Sequence, residues 1–235
     1  MNSGVPLAPR PAIGIAVMCK PPRAGVSKTR LAAAIGPEAA ASLSAAFLRD
    51  VTATVAVVAD ETGCVTYGVY APADAAVEIA ALVPTGFKLM LQEGAGLGAL
   101  MMATIGAVLA ECPSGCLLIG SDMPTLTAGQ LQDAIAQLQH PKTDVVFIPT
   151  ADGGYCLIGA KAVHATLFAG IVWSTPTVLQ QSLARAADAT LDVAVLPACL
   201  DVDDAASLEA LVKSLERDRA NAPNTRAALQ RLGRL

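Results

Sequence analysis

Apolar residues recur along this chain in two alternating forms. Short unbroken runs occupy residues 13–19, 65–70, 87–91, 116–120, 144–148 and 191–196. Runs of that length, bounded by Gly, Pro and polar residues, predict buried β-strands. A further strand over 155–159 is expected after the turn Asp152-Gly153-Gly154. Between the runs the apolar spacing changes to three and four. Leu43, Phe47, Val51, Val55 and Val58 mark a helix over 37–60, opened by Gly36-Pro37-Glu38 with proline in its first turn. Further helices are expected over 73–83, 97–111 and 203–217, with a short basic one over 224–235. Thr127 and Gln130 form a capping-box start for a helix ending at residue 139, and Thr175-Pro176 reads as the capped start of another. Strands alternating with helices predict a mostly parallel sheet covered on both faces, a Rossmann-like three-layer αβα sandwich. Residues 1–11, with three prolines and one glycine, read as a flexible tail, and 12–235 as one domain without repeats or linkers.

Composition narrows the function classes. Hydrophobic residues make up 54% of the chain, enough for a substantial core. The net charge of -4 argues against nucleic-acid binding, which needs a basic surface. Aromatic residues, at 3%, are too few for base-stacking platforms. The longest apolar stretch, 97–109, is too short to span a membrane and reads as a buried helix, and no signal pattern opens the chain. The six cysteines include no C-x-x-C pair and read as reduced core residues of a cytoplasmic protein. With only His140 and His164 available, zinc spacing is lacking. The apolar composition is compatible with a homodimer.

The candidate chemistry falls at predicted strand ends. The run 117–119 passes through Gly120-Ser121 to the carboxylate of Asp122, and Pro124 blocks its continuation. In open α/β sheets the ligand crevice lies at the carboxyl ends of strands, where one carboxylate can hold Mg²⁺ and thereby phosphates. An ordinary turn residue satisfies the same local pattern. After the first strand, the loop 20–30 packs Lys20, Arg23, Lys28 and Arg30 beside two prolines, which suits phosphate binding. It is not a P-loop: Ser27 precedes Lys28, and Pro22 stands where the first glycine is required. Gln92, Gly94, Gly96 and Gly98 follow the third strand, where a ligand could approach the backbone or the chain could simply turn. Asp152, Gly153, Gly154 and Tyr155 form a hairpin-type turn at a strand end. Asp201, Asp203 and Asp204 sit at a helix start, where they serve equally as caps or as metal ligands.

Taken together, six segments resemble the nucleotide-diphospho-sugar transferase superfamily with the glycosyltransferase-A-type fold. They are the run from Lys20 to Leu31, Ile119-Gly-Ser-Asp-Met-Pro124, Asp152-Gly-Gly-Tyr-Cys-Leu-Ile-Gly159, Trp173-Ser174-Thr175, Asp201-Val-Asp203 and Ala222-Pro-Asn-Thr-Arg226. More narrowly they resemble a bacterial family of glycosyltransferase-like proteins, similar also to phospholactate guanylyltransferases and molybdenum-cofactor nucleotidyltransferases. The resemblance implies a nucleotide donor, a small-molecule acceptor and Mg²⁺ or Mn²⁺. It implies catalytic roles for Lys28 and Asp122, and metal ligation by Asp122 with Asp201 or Asp203. Lys20, Arg23, Gly25, Lys28, Arg30, Gln92, Gly96 and Leu97 would bind the nucleotide and its phosphates. Asp152, Gly153, Gly154, Tyr155, Trp173, Ser174 and Thr175 would face the acceptor. The chain departs from the family pattern at Leu97-Gly98-Ala99-Leu100-Met101, which lacks the usual Glu-Arg after the glycine.

Three functions are compatible with these residues. Nucleotidyl transfer from a nucleoside triphosphate to a small phosphorylated acceptor suits the concentrated basic loop and the single acid at 122. Glycosyl transfer from a nucleotide sugar suits the family label. A catalytically degenerate nucleotide-binding regulator suits the altered 97–101 stretch.

Overall fold

The structure, a computed structural model, describes residues 13–235. The expected tail over 1–11 lies outside those residues. The described residues form one α/β domain on a seven-stranded sheet: β1 (Ile13–Cys19), β2 (Val65–Tyr70), β3 (Lys88–Leu91), β4 (Gly115–Ile119), β5 (Val145–Pro149), β6 (Tyr155–Ala160) and β7 (Val193–Val195). The helices are α1 (Thr29–Ile35), α2 (Pro37–Thr62), α3 (Ala76–Ala80), α4 (Leu97–Glu111), α5 (Ala128–Gln139), α6 (Val178–Asp188), α7 (Ala205–Arg217) and α8 (Pro223–Arg231). The strand order is β3-β2-β1-β4-β6-β5-β7. β6 runs antiparallel to both its neighbours, and the other pairings are parallel.

Strand alternation divides the core. Ile13, Ile15 and Val17 of β1 point toward Leu48, Val51, Val55 and Val58 of α2 and Leu131 and Leu138 of α5. On the other face Ala16, Tyr67, Leu118 and Phe147 meet Met101, Ile105 and Val108 of α4. Strands covered on both faces read as continuous apolar runs, which is why β1, β4 and β5 were evident from sequence. α2 is long and apolar enough to cross a membrane by length and composition. Its apolar face is instead buried against the sheet and α8.

A third apolar cluster joins Leu31 of α1 and Phe47 of α2 to Leu208, Leu211 and Leu215 of α7 and Leu229 of α8. A buried carboxylate closes it. Asp50 of α2, only 3% exposed, accepts hydrogen bonds from Asn224 N at 3.0 Å, Asn224 Nδ2 at 2.8 Å and Thr225 N at 2.7 Å. Ala222, the residue before α8, offers no capping side chain, so Asp50 caps that helix from a distant element. The Pro-Asn-Thr segment is thus a structural clamp. Asp50→Ala strands these donors, and urea unfolding is expected to show a loss of about 2 kcal/mol.

Several boundaries differ from expectation. The helix expected over 73–83 is a 3₁₀ turn (Ala73–Ala75) followed by the short α3. Only Ala75 and Ile79 are buried there, too narrow a face to sustain a longer helix. α1 was not anticipated, because Leu31 is its one buried residue. Thr175 does not cap α6: its hydroxyl donates to Val172 O at 2.7 Å, and the helix begins at Val178. The capping box at Thr127 and Gln130 forms as expected.

Candidate functional site

The order of strands decides which loops meet. β1 and β4 are adjacent and parallel, yet β1 is followed by β2 on its other side. The carboxyl ends of β1 and β4 therefore flank a topological switch point, where ligands bind in open α/β sheets. Lys20 leaves β1 there, and Gly120-Ser121-Asp122 leaves β4. The reversed direction of β6 carries the turn between β5 and β6 to the same edge. A last segment arrives from beyond β7. Cys199 N donates to Pro149 O at 2.9 Å, and Val202 N donates to Asp122 O at 3.0 Å. Those backbone bonds bring Asp201 and Asp203 beside Asp122.

The Lys28 ammonium lies at the centre of this convergence. Its Nζ is 2.9 Å from Asp122 Oδ2, 2.7 Å from Asp203 Oδ1 and 2.6 Å from Val202 O. Only 4% of the side chain is exposed. Phe47 lies beneath it, its ring centre 5.9 Å from Nζ. Arg30 Nη2 donates to Asp203 Oδ2 at 2.5 Å. Burial disfavours the Lys28 cation, but Asp122 and Asp203 outweigh it and raise its pKa. Burial likewise works against the Asp203 carboxylate, and Lys28 and Arg30 hold its pKa below the ordinary value. Asp201 shows the opposite balance. Burial, then repulsion from Asp203 and Asp122, pushes it up to about 7.

One ligand atom each from Asp122, Asp201 and Asp203 falls within a mutual distance of 4.8 Å. Three hard oxygen donors so close together match the ligand preference of Mg²⁺ or Mn²⁺. Like charges at that spacing also repel, which adds to burial in raising the Asp201 value.

A cleft of about 780 Å³ opens beside the trio. Lys20, Arg30, Asp122, Asp152, Asp201 and Asp203 are the charged residues of its lining. Its apolar lining includes Met18, Leu97, Met101, Ile158, Trp173 and Val178. A smaller cavity of about 280 Å³ lies between the basic loop and the acids, lined by Lys20, Ser27, Lys28, Arg30, Asp122 and Asp203 among others.

The expected site residues divide accordingly. Lys20, Arg30, Leu97, Asp122, Asp152, Gly154, Tyr155, Trp173, Ser174, Thr175, Asp201 and Asp203 line the large cleft, and Lys28 lines the small one. Arg23 does not join them. Its guanidinium pairs with Glu78 at 3.0 Å and Asp74 at 3.3 Å, tying the loop to the α3 region. Gly25, with φ of 76°, turns that loop without lining either cavity. Gln92 and Gly96 also stay outside them: Gln92 N bonds Tyr70 O, and Gly96 precedes α4. Gly153 is a packing residue, discussed below. The Asp152 carboxylate accepts from Thr150 Oγ1 at 2.6 Å and Gly154 N at 3.1 Å, the hairpin-turn role its sequence allowed. Of the acids after β7, Asp204 alone caps α7, accepting from Ser207 N at 2.9 Å. The apolar lining went unnoticed in the sequence. Met18 and Ile158 lie on strands, and only their position in the sheet distinguishes them from ordinary core.

This fold is that of the nucleotide-diphospho-sugar transferases. The family described as "uncharacterized protein conserved in bacteria (DUF2064)" matches residues 54–175, and the chain belongs to it. The matched stretch includes Asp122 and Asp152 but neither Lys28 nor Asp203. A protein from Desulfovibrio desulfuricans G20, assigned as a nucleotide-diphospho-sugar transferase, is 28% identical, with a TM-score of 0.84 over 93% of this chain and 94% of that one. Two more distant structures share the fold alone. One is CMP-2-keto-3-deoxy-manno-octonic acid synthetase solved with CTP, 12% identical, with a TM-score of 0.56 over 88% of this chain and 99% of that one. The other is Rv0371c from Mycobacterium tuberculosis H37Rv solved with manganese, 18% identical, with a TM-score of 0.51 over 86% and 98%. No curated protein matches the chain in sequence.

Proposed function

We propose that the protein is a divalent-metal-dependent transferase acting on a nucleotide donor, and that the transferred group is a nucleotidyl group from a nucleoside triphosphate. The observation that carries this reading is the meeting of Lys28, Arg30 and Asp122, Asp201 and Asp203 at the switch point between β1 and β4. A diphosphate or triphosphate needs both a cationic cradle and hard-metal ligands, and this edge of the sheet supplies both.

Asp122, Asp201 and Asp203 would hold Mg²⁺ or Mn²⁺. Such a cation, when bound, offsets charge developing on phosphate oxygens. Lys20 and Arg30 face the cleft and would neutralise the remaining oxygens. Asp203 orients Arg30 by accepting its guanidinium N–H. The acceptor would lie along the wall of Tyr155, Trp173, Ser174 and Thr175, with Asp152 in the same lining. No nucleophilic side chain need take part, because in-line phosphoryl chemistry runs on alignment and electrostatics.

Two of the three solved structures pull in different directions. The synthetase solved with CTP supports a nucleoside triphosphate as donor. The Desulfovibrio protein's assignment supports a nucleotide sugar. Ligand-dependent melting separates them, since a ligand that binds the native state raises its stability. With Mg²⁺ present, a nucleoside triphosphate is expected to raise the melting temperature more than a nucleotide sugar does. A reversed order assigns the donor to the sugar nucleotides, and equal shifts undo the preference for a triphosphate.

A further inference from the structure

The lysine at the heart of the site is fully occupied. An ammonium has three N–H donors. Here Nζ donates to Asp203 Oδ1 at 2.7 Å and Val202 O at 2.6 Å, and it forms an ion pair with Asp122 Oδ2 at 2.9 Å. In this arrangement the Lys28 ammonium is committed to protein partners rather than to a phosphate. It also engages one carboxylate oxygen from each of two members of the trio that a divalent cation would need. Asp201, the third member, has no part in the ion pairs that hold Lys28 and Arg30.

We propose that Lys28 is a tethered plug in the cation position, displaced only when phosphate enters the adjoining small cavity, so that the nucleotide admits the metal. The inference rests on the metal-and-nucleotide reading above and adds an order of binding to it. Two features of the structure fit a plug rather than a permanent ion pair. First, the cavity of about 280 Å³ has Lys28 in its lining together with Lys20, Thr29, Arg30 and Ser44, besides Asp122 and Asp203, which are already paired with Lys28 and Arg30. An anion there would offer the ammonium a new partner a short side-chain swing away. Second, Lys28 sits in the left-handed region, with φ of 53° and ψ of 46°, at the residue before α1. Non-glycine residues adopt that conformation at a cost, which a swing of Lys28 out of the acids could relieve.

Once Lys28 leaves, Asp122, Asp201 and Asp203 lose the cation closest to them while Arg30 stays paired with Asp203 and Lys20 stays in the cavity lining, and the site gains affinity for a divalent cation. Metal alone must instead compete with an intramolecular cation that never diffuses away. Metal and triphosphate therefore bind with positive coupling.

Manganese retained by the protein after equilibrium dialysis, corrected for Mn²⁺ carried by the same nucleotide concentration in a protein-free chamber, tests this directly. Mn²⁺ is titrated into the wild type, Lys28→Gln and Lys28→Gly, each with and without a non-hydrolysable nucleoside triphosphate. Glycine is included because it accepts the left-handed backbone freely. Both variants are expected to bind Mn²⁺ alone about tenfold more tightly than the wild type, a gain in the usual range of coupling between sites. The wild type is expected to bind it tightly only with the triphosphate present. Variants that bind Mn²⁺ no better than the wild type overturn the plug. So does wild-type binding that is as tight without triphosphate as with it, even if neither variant folds. If no protein retains Mn²⁺ or triphosphate in any combination, the proposed function fails as well, and the plug with it.

Discussion

Asp122→Asn is expected to lower turnover by roughly 10³-fold, the upper end of what removing one electrostatic contributor costs, and to leave a folded protein. The substrate for the assay is the nucleoside triphosphate that most raises the melting temperature. The asparagine side chain preserves the shape of the residue and removes one charge. The backbone bond from Val202 N to Asp122 O persists, so the 199–203 segment keeps its anchor. Lys28 loses one partner and retains Asp203 Oδ1 and Val202 O. The repulsion that burdens Asp201 also falls. Stability therefore changes little, and the loss shows in steady-state rate, with a thermal melt run alongside. A variant with undiminished turnover would mean that the carboxylate after β4 plays no part in the chemistry.

Gly153→Ala acts on the turn between β5 and β6. Gly153 has φ of 87°, and a Cβ built on it would lie 1.9 Å from Pro176 O and 2.5 Å from Pro176 C. Both are backbone atoms, so no side chain can swing clear. Gly153 O in turn accepts a hydrogen bond from Leu179 N at 2.9 Å in the first turn of α6. The turn between β5 and β6 thus supports the chain that carries Trp173, Ser174 and Thr175. Alanine must both adopt a left-handed backbone and push that support away. Strain and overpacking together are expected to cost about 3 kcal/mol, read as a lower urea midpoint with an unchanged slope. Because the wall moves with the turn, acceptor binding is expected to weaken more than triphosphate binding. A midpoint equal to the wild type's would show that Pro176 yields without consequence.

The sequence carried most of the sheet and less of the site, for reasons that particular residues make clear. β1, β4 and β5 are covered on both faces and announce themselves as unbroken apolar runs. α1 has little apolar stripe, so it was hidden within a loop defined by its charges. Position alone does not distinguish the four cations of that loop, and only the family resemblance singles out Lys28. In the folded protein Arg23 serves Asp74 and Glu78, Arg30 serves Asp203, Lys28 is buried among acids, and Lys20 is exposed at the cleft. No local pattern separates those fates, because those of Arg23, Lys28 and Arg30 depend on partners some 50 to 175 positions away in the chain. Spacing placed Asp122, Asp152 and Asp203 near strand ends. It did not contain the neighbour relation of β1 and β4, and that relation makes Lys28 and Asp122 touch. Asp50 was invisible for the same reason. A lone acid in a helix gives no sign that it will cap another helix formed at the far end of the chain.

The position of Trp173 has a practical consequence. It is the sole tryptophan of the protein, it stands in the wall of the large cleft, and its ring lies against Gly98 at the start of α4. The three tyrosines absorb at shorter wavelengths. Excited at the red edge of the band, the whole molecule emits from a single indole beside the binding space. The protein is its own optical gauge, and occupancy of the cleft can be followed without a label or a coupled assay.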